Sequence, residues 1–290
     1  MGGFLRRHKR VVPYLLLAPG LLWLAVFYVV PGIQMFMTSL WSGTLETGYE
    51  FALSNVSNYT QALQRFWPQF SRSILYGGAA TLLTFAISYP LAYTIAFRGG
   101  RYKNLLLFLV VAPFFTSFLL RTVSWKIILG DTGILLGPLK DLGFLPEEFR
   151  LLATPVAVVA GITYNFLPFM TLPIYVSLEK IDKRLVEAAE DLFASSIGAF
   201  RRITFPLSLP GVFAGSLLTF IPAMGDYVNA ELLGSPETTM IGNVIQNQFL
   251  TQNNYPTASA LSFILMAGIL ISVGIYARLL GTDELTAGGV

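Results

Sequence analysis

Glu187-Ala188-Ala189-Glu190-Asp191-Leu192-Phe193-Ala194-Ser195-Ser196-Ile197-Gly198-Ala199-Phe200-Arg201-Arg202-Ile203-Thr204-Phe205-Pro206 is a polar, helix-forming island in a chain that otherwise reads as membrane. Residues 179–206 hold five basic and five acidic side chains, whereas only 12% of the 290 residues are charged and 54% are hydrophobic. Soluble domains carry roughly a quarter charged residues, so most of this chain does not face water. Within the island, Leu185, Val186, Ala189, Leu192, Phe193 and Ala194 recur near helical spacing. This predicts a short amphipathic helix over 182–193, with Asp182 as its N-cap. Ser195 or Ser196 then caps a second short helix through Arg202, ended by Pro206. The small Ala188 and Ala189 let another surface approach the backbone closely.

Outward from the island lie long windows without a charge: 11–45, 73–97, 104–120, 151–178, 203–225 and 238–277, the last polar in its first half. A spanning helix needs about 20 apolar residues. The expected fold is therefore all-α and integral to the membrane, a single domain over 1–290. Its six transmembrane helices lie near 12–38, 72–97, 104–128, 152–178, 208–233 and 258–280, with the 179–206 insert between the fourth and fifth. Arg6-Arg7-His8-Lys9-Arg10 fits the start of a signal peptide, but the apolar run after it is too long and lacks a small-x-small cleavage site, so a retained first helix is expected. Of the 19 basic residues, 13 collect in the N-terminal tail, the second-to-third loop, the island and Arg278. The positive-inside rule makes that side, and both termini, cytoplasmic. Long outer loops are expected at 39–71, 129–151 and 234–257.

Several chemistries are excluded at this level. There is no cysteine and one histidine, His8, so a thiolate nucleophile or a histidine metal site is not expected, and no metal ligand is assigned. No G-x-x-x-x-G-K-[ST] phosphate cradle occurs, nor G-x-S-x-G or H-E-x-x-H. No catalytic residue is assigned. The basic residues are split among short loops, which argues against nucleic acid. Prolines within or beside the spans (Pro13, Pro19, Pro90, Pro113, Pro168, Pro173, Pro222) mark kink positions. Pro168 with Pro173, and Pro222 before a charge, point toward helices that line a pathway.

Glu187-Ala188-Ala189, thirteen residues and then Ile203-x-Phe205-Pro206 resembles the EAA loop of ABC importer permeases of the type I fold. Further blocks resemble the B-type permease of spermidine/putrescine transporters: Pro113-Phe114-Phe115-Thr116-Ser117-Phe118-Leu119-Leu120-Arg121-Thr122, Ile221 to Tyr227 with Glu231-Leu232-Leu233-Gly234, and Ile241 to Phe249. These blocks sit in order along nearly the whole chain. The resemblance implies a helix pair in the insert that docks onto a separate ATP-hydrolysing subunit. Glu187, Ala188, Ala189, Leu192, Ser195, Ile203 and Pro206 would carry that docking. It also implies a second non-identical permease, two ATP-binding subunits, an extracytoplasmic polyamine-binding protein and a place in the bacterial cytoplasmic membrane. No cofactor is expected in this chain, because ATP and magnesium would be bound by the partner. Phe193 departs from the family pattern, which has glycine there; the expected turn is strained at that point or moves toward Ala194–Ser196 or Gly198.

An ionisable group inside a bilayer is a functional hypothesis by default. Asp226, with Tyr227 beside it and Glu231 five positions on, is a candidate anionic and aromatic station for the ammonium groups of a polyamine. The alternatives for Asp226 are an ion pair with Arg121 that locks two helices, or a contact with the second permease. Arg121 would repel a cationic substrate and is read as a structural charge. Asn165, mid-span beside Pro168, lines the route or hydrogen-bonds another helix. Trp125 and Lys126 read as interfacial anchors. The permease of an importer for another small solute is the alternative function, and a membrane enzyme or scaffold the remote one.

Overall fold

Apolar runs become helices wherever a chain must satisfy its own backbone donors and acceptors. A computed structural model of the protein, which describes residues 12–44, 47–52 and 55–280, is built almost entirely that way. The basic tail Arg6, Arg7, His8, Lys9 and Arg10 lies outside the described residues. The chain forms two compact units, Met1–Arg65 with Asn247–Ile264, and Phe66–Gln246 with Leu265–Val290.

In the first unit, α1 (Val12–Leu24) passes through a π-turn at Ala25–Val29 into α2 (Val30–Ser39). Large apolar side chains such as Leu16, Trp23, Phe27 and Tyr28 are exposed around the helix, as suits a segment surrounded by lipid or by other helices. A hairpin follows, β1 (Trp41–Thr44) against β2 (Gly48–Phe51), with Trp41 opposite Phe51 and Gly43 opposite Tyr49. This departs from the all-α expectation. Aromatic and β-branched residues flank Gly43, whose φ of +102° no ordinary side chain adopts comfortably, and a Cβ there would strike the Gly48 carbonyl oxygen. Asn58 ties the hairpin down, donating from Nδ2 to the carbonyls of Ser39 and Trp41 at 2.9 and 2.8 Å.

The expected 39–71 loop is also largely helix. α3 runs Ser57–Tyr93 and kinks at Phe66, where φ is −111° and ψ 15°. Pro68 lacks the donor for the turn behind it and crowds that turn's carbonyl. A π-turn over Thr94–Arg98 ends the helix.

The core of the second unit is the pair α7 (Pro155–Glu179) and α10 (Phe205–Met224). Pro168 and Pro173 do not break α7. With Pro210 they line an open groove of about 430 Å³. Gly211 and Gly215, four residues apart, let the two backbones meet. A Cβ on Gly211 would strike the Pro173 carbonyl oxygen, and one on Gly215 would lie 3.0 Å from the Met170 carbonyl oxygen. Small residues at this spacing are how helices pack closely in lipid, where no hydrophobic force drives them together. Met170, Ile174, Tyr175, Leu178 and Val212 fill the core on one side of this contact, and Val158, Ile162, Phe166 and Ala223 fill another.

Two expected spans are interrupted. Over 104–128 the chain forms α4 (Lys103–Val111), a 3₁₀ turn at Ala112–Phe115, extended Thr116 and Ser117, then α5 (Phe118–Ile128), with a bend of 95° between the two arms. Pro113 removes a donor at the corner. Over 208–233, α10 stops at Met224 and a short α11 (Val228–Leu233) follows. Among the described residues five helices are long and apolar enough to cross a membrane, and the bent pair makes a sixth if counted as one span. The second unit also holds a short α6 (Leu136–Asp141), where Asp131 draws in Lys140 and Arg150 at 3.4 and 3.5 Å. α12 (Ile241–Leu250) and α13 (Tyr255–Leu280) are the last of the described elements.

Candidate functional site

The break between α10 and α11 is organised by one carboxylate. Asp226 accepts the backbone N–H of Asn229 on Oδ1 at 2.8 Å and the Asn229 side-chain amide on Oδ2 at 2.9 Å. It thus satisfies a donor that the first turn of α11 leaves orphaned, the role of an N-terminal cap. Asn229 passes the link on. Its Oδ1 accepts from Asn165 Nδ2 of α7 at 3.1 Å and lies 3.4 Å from Thr122 Oγ1 of α5. Asn165 gives its other amide hydrogen to Thr122 Oγ1 at 3.2 Å. Asp226, Asn229, Asn165 and Thr122 are all buried. Three helices and the break before α11 therefore meet in one solvent-shielded polar knot, in which Asn165 Oδ1 alone finds no donor among the described residues. Close packing supports it, since a Cβ on Gly161 would lie 2.7 Å from Asn229 Oδ1.

The other predicted station residues form a separate, accessible cluster. Tyr227 is 44% exposed and Glu231 is exposed. Glu231 N–H bonds the Tyr227 carbonyl at 2.9 Å, so the two side chains share a helical face. Asn243 of α12 braces them, donating from Nδ2 to Tyr227 O at 2.8 Å and to Glu231 Oε2 at 3.2 Å. An aromatic face beside a carboxylate is what an ammonium group on a flexible chain recognises. The approach of α12 depends on Gly242, where a Cβ would strike the Gly225 carbonyl oxygen.

Arg121 does not pair with Asp226. No ion pair joins them, and the guanidinium carbon instead lies 5.0 Å from the ring centre of Phe114 and 5.7 Å from that of Phe118. Trp125 is half-buried, edge-on to Tyr164 at 5.3 Å, and Lys126 beside it is exposed.

In the charged island, Asp182 Oδ1 accepts the Arg184 N–H at 3.0 Å and starts α8 (Lys183–Asp191). The turn after α8 stays at Phe193, which takes φ +62°. Ala194 N–H reaches back to the Ala189 carbonyl at 3.0 Å, the six-to-one bond of a Schellman terminus. Of the two capping serines it is Ser195 that caps α9 (Ser196–Ala199), accepting the Gly198 N–H at 3.2 Å. Pro206 does not terminate this helix. A π-turn at Phe200–Thr204 carries it into α10, and Pro206 follows directly after that turn, within a continuous helical path. Leu192, Phe193 and Ile197 are 82%, 99% and 72% exposed, and Glu187 and Ala188 are also open. Ala189, Ile203 and Pro206 are half-buried.

Of the predicted site residues, Asp226 and Asn165 thus meet through Asn229, and Tyr227 and Glu231 meet through Asn243. Asn229, Thr122 and Asn243 were not singled out from sequence. Asp226-x-x-Asn229 has the spacing of a cap, a signal hidden by the apolar window around it.

Comparison with known proteins follows the same lines. Residues 88–280 match the family model described as binding-protein-dependent transport system inner membrane component. The spermidine/putrescine transport system permease protein PotB of Haemophilus influenzae is 38% identical over 88% of this chain and 90% of its own length. PotB of Escherichia coli is 36% identical over 87% of this chain and 92% of its own. The inner membrane ABC transporter permease protein YdcU of E. coli is 27% identical over 98% and 95%. Among solved structures, a chain of a bacterial ABC transporter involved in import of the acidic polysaccharide alginate superposes with a TM-score of 0.74 at 19% identity, covering 95% of this chain and 97% of that one. The same kind of transporter has been solved with an alginate pentasaccharide-bound periplasmic protein, at a TM-score of 0.73 and 20% identity. At that identity the likeness speaks to fold alone. A matched segment covering most of the chain, with relatives above one-third identity along nearly its full length, makes this chain a member of the binding-protein-dependent transport system inner membrane component family.

Proposed function

We propose that this chain is the B-type permease subunit of an ATP-driven importer of polyamines, spermidine or putrescine, and forms half of the translocation pathway as a single domain over 1–290. The observation that carries the solute is the accessible Tyr227–Glu231 pair braced by Asn243, in a chain with more than one-third identity to two spermidine/putrescine permeases. In this reading Glu231 and Tyr227 receive an ammonium group. Asp226, whose two oxygens are engaged by Asn229, contributes negative potential from behind and, with Asn165, holds the helix break in place.

The reading places six crossings in the bacterial cytoplasmic membrane with both termini inside. The 179–206 segment then faces the cytoplasm as a coupling-helix pair, and the exposed Leu192, Phe193 and Ile197 support a docking surface there. Glu187, Ala188, Ala189, Leu192, Ser195, Ile203 and Pro206 belong to it. The remaining partners are a second, non-identical permease, two ATPase subunits that hold ATP and magnesium, and an extracytoplasmic polyamine-binding protein.

Labelled spermidine uptake by the reconstituted complex tests this. Glu231→Gln is expected to raise the spermidine concentration needed for half-maximal uptake, and Asp226→Asn to lower the maximal rate. Wild-type complex that takes up no polyamine removes the solute assignment. Unchanged uptake in Glu231→Gln removes that residue from the pathway.

A further inference from the structure

Tyr89 of α3 seats both ends of the π-turn that joins α9 to α10. Phe200 opens that turn and Phe205 follows it. Phe200 stands edge-on to Tyr89, with 5.8 Å between ring centres, and Phe205 lies tilted against it at 5.7 Å. Phe200 also meets Tyr93, one turn on in α3, edge-on at 6.1 Å. Such pairs hold more than their buried area implies, because ring edges are positive and ring faces negative. Tyr89 is buried, and its hydroxyl lies 2.8 Å from Ser208 Oγ of α10. Ser208 gives its own hydrogen to the Phe205 carbonyl at 2.8 Å, so Tyr89 is the donor between them.

Directly after Tyr93, α3 passes into its own π-turn at Thr94–Arg98. Such turns are rare and concentrate at functional sites, and here two of them adjoin one aromatic cluster. One residue before Tyr89, Ser88 donates to the Leu167 carbonyl of α7 at 3.2 Å. A line of packed and hydrogen-bonded groups therefore runs from the π-turn through Phe200 and Tyr89 to α3, and on to α7. Contiguous contacts of this kind carry coupling between sites. Ahead of the same turn, Phe193 and Ile197 are exposed. A push applied there has two routes inward, along the backbone into α10 and across the rings into α3.

We infer that Tyr89 is a positioning residue for energy coupling: it makes α3 follow the docking segment, so that ATP hydrolysis in the partner moves two membrane helices together rather than α10 alone. The inference rests on the reading of 179–206 as the segment that docks the ATPase subunit, and not on the identity of the solute.

The test measures spermidine taken up per ATP hydrolysed by the reconstituted complex. In Tyr89→Leu that ratio should fall about fivefold or more, the scale on which changes along a coupling network act. The membrane level of this chain, its recovery of ATPase subunit and the half-saturating spermidine concentration should stay at wild type. Tyr89→Phe, which keeps the ring, should stay near the wild-type ratio. An unchanged ratio in Tyr89→Leu overturns the inference. So does a parallel fall in uptake, hydrolysis and assembly, which would make Tyr89 a packing residue only. A second readout needs neither the solute nor a foldable Tyr89 variant, and decides if either is lacking. The chain has no cysteine, and Leu83 and Arg202 are exposed. Spin labels at Leu83→Cys on α3 and Arg202→Cys on the π-turn should keep the same separation in nucleotide-free and vanadate-trapped complexes. A change of several ångströms between those states overturns the inference. Wild-type complex that recovers no ATPase subunit removes the docking reading and this inference with it, whereas full recovery with an unchanged ratio in Tyr89→Leu removes the inference alone.

Discussion

Phe193 sets two effects of opposite sign against each other. Its φ of +62° places an aromatic residue in the left-handed region, at a cost of about 1–2 kcal/mol for an L-residue with a Cβ. Glycine removes that strain but adds about 0.5–1 kcal/mol of chain entropy to be lost on folding. Phe193→Gly alone should therefore stabilise the terminus of α8 by between zero and about 1.5 kcal/mol. The ring is 99% exposed in the isolated chain. If it docks on the ATPase subunit, full burial contributes about 1.5–3 kcal/mol, or roughly 10- to 100-fold in Kd. The docking term exceeds the strain term, so Phe193→Gly should weaken ATPase association by about tenfold or more even though the turn relaxes. Phe193→Ala separates the terms, because it keeps most of the strain and loses the ring; it should weaken binding at least as much. The assay is equilibrium titration of purified ATPase subunit onto the chain in nanodiscs. Phe193→Gly binding as tightly as wild type, or tighter, would refute the argument and leave Phe193 as a strained surface residue with no partner.

Four further outcomes are expected. Asn229→Ala strips partners from Asp226 Oδ2 and from Asn165 Nδ2. Each buried polar group left unmatched costs about 1–3 kcal/mol, so the thermal midpoint in detergent should fall by several degrees; an unchanged midpoint would mean water fills the gap. Gly211→Val drives a branched side chain onto the Pro173 carbonyl and Ser177 and should destabilise by about 1–3 kcal/mol or prevent assembly. Gly78→Ala, at a helical glycine with open space beside it, is the control and should be neutral or slightly stabilising. Glu187→Lys reverses an exposed charge on the proposed docking helix and should reduce co-purification of the ATPase subunit; full recovery would take Glu187 out of the docking set.

Gaps between charges were enough to place most of the membrane helices, because lipid imposes length and apolarity directly on sequence. The two breaks escaped that logic. An apolar window cannot report that Thr116 and Ser117 run extended after Pro113, or that Asp226 starts a new helix by capping Asn229. Local chemistry is legible and its tertiary partners are not. Asp182 and Ser195 cap as read, since a cap bonds within three residues. The Asp226–Arg121 pair did not form, because a neighbouring amide reached the carboxylate first. Phe193 kept its turn despite the missing glycine, since the bond from Ala194 to Ala189 fixes the chain reversal there. The Tyr227–Glu231 pair was visible as residues, but its brace from Asn243 comes from a separate helix.

The helical path from Ser196 through the π-turn to Met224 is unbroken over 29 residues, roughly 43 Å at helical rise. It is gripped near its middle, where Gly211 and Gly215 press on α7. If the rod turns about this closest contact, it acts as a lever. The arm from that fulcrum to Ser196 is roughly 25 Å and the arm to Met224 roughly 17 Å. A sideways push of about 2 Å at the Ser196 end then arrives at the Asp226 break reversed in direction and reduced to about 1.4 Å. Gearing of this kind trades travel for force. The displacement delivered to the polar knot is about half a hydrogen-bond length, enough to part Asn229 from Asn165 without unfolding either helix.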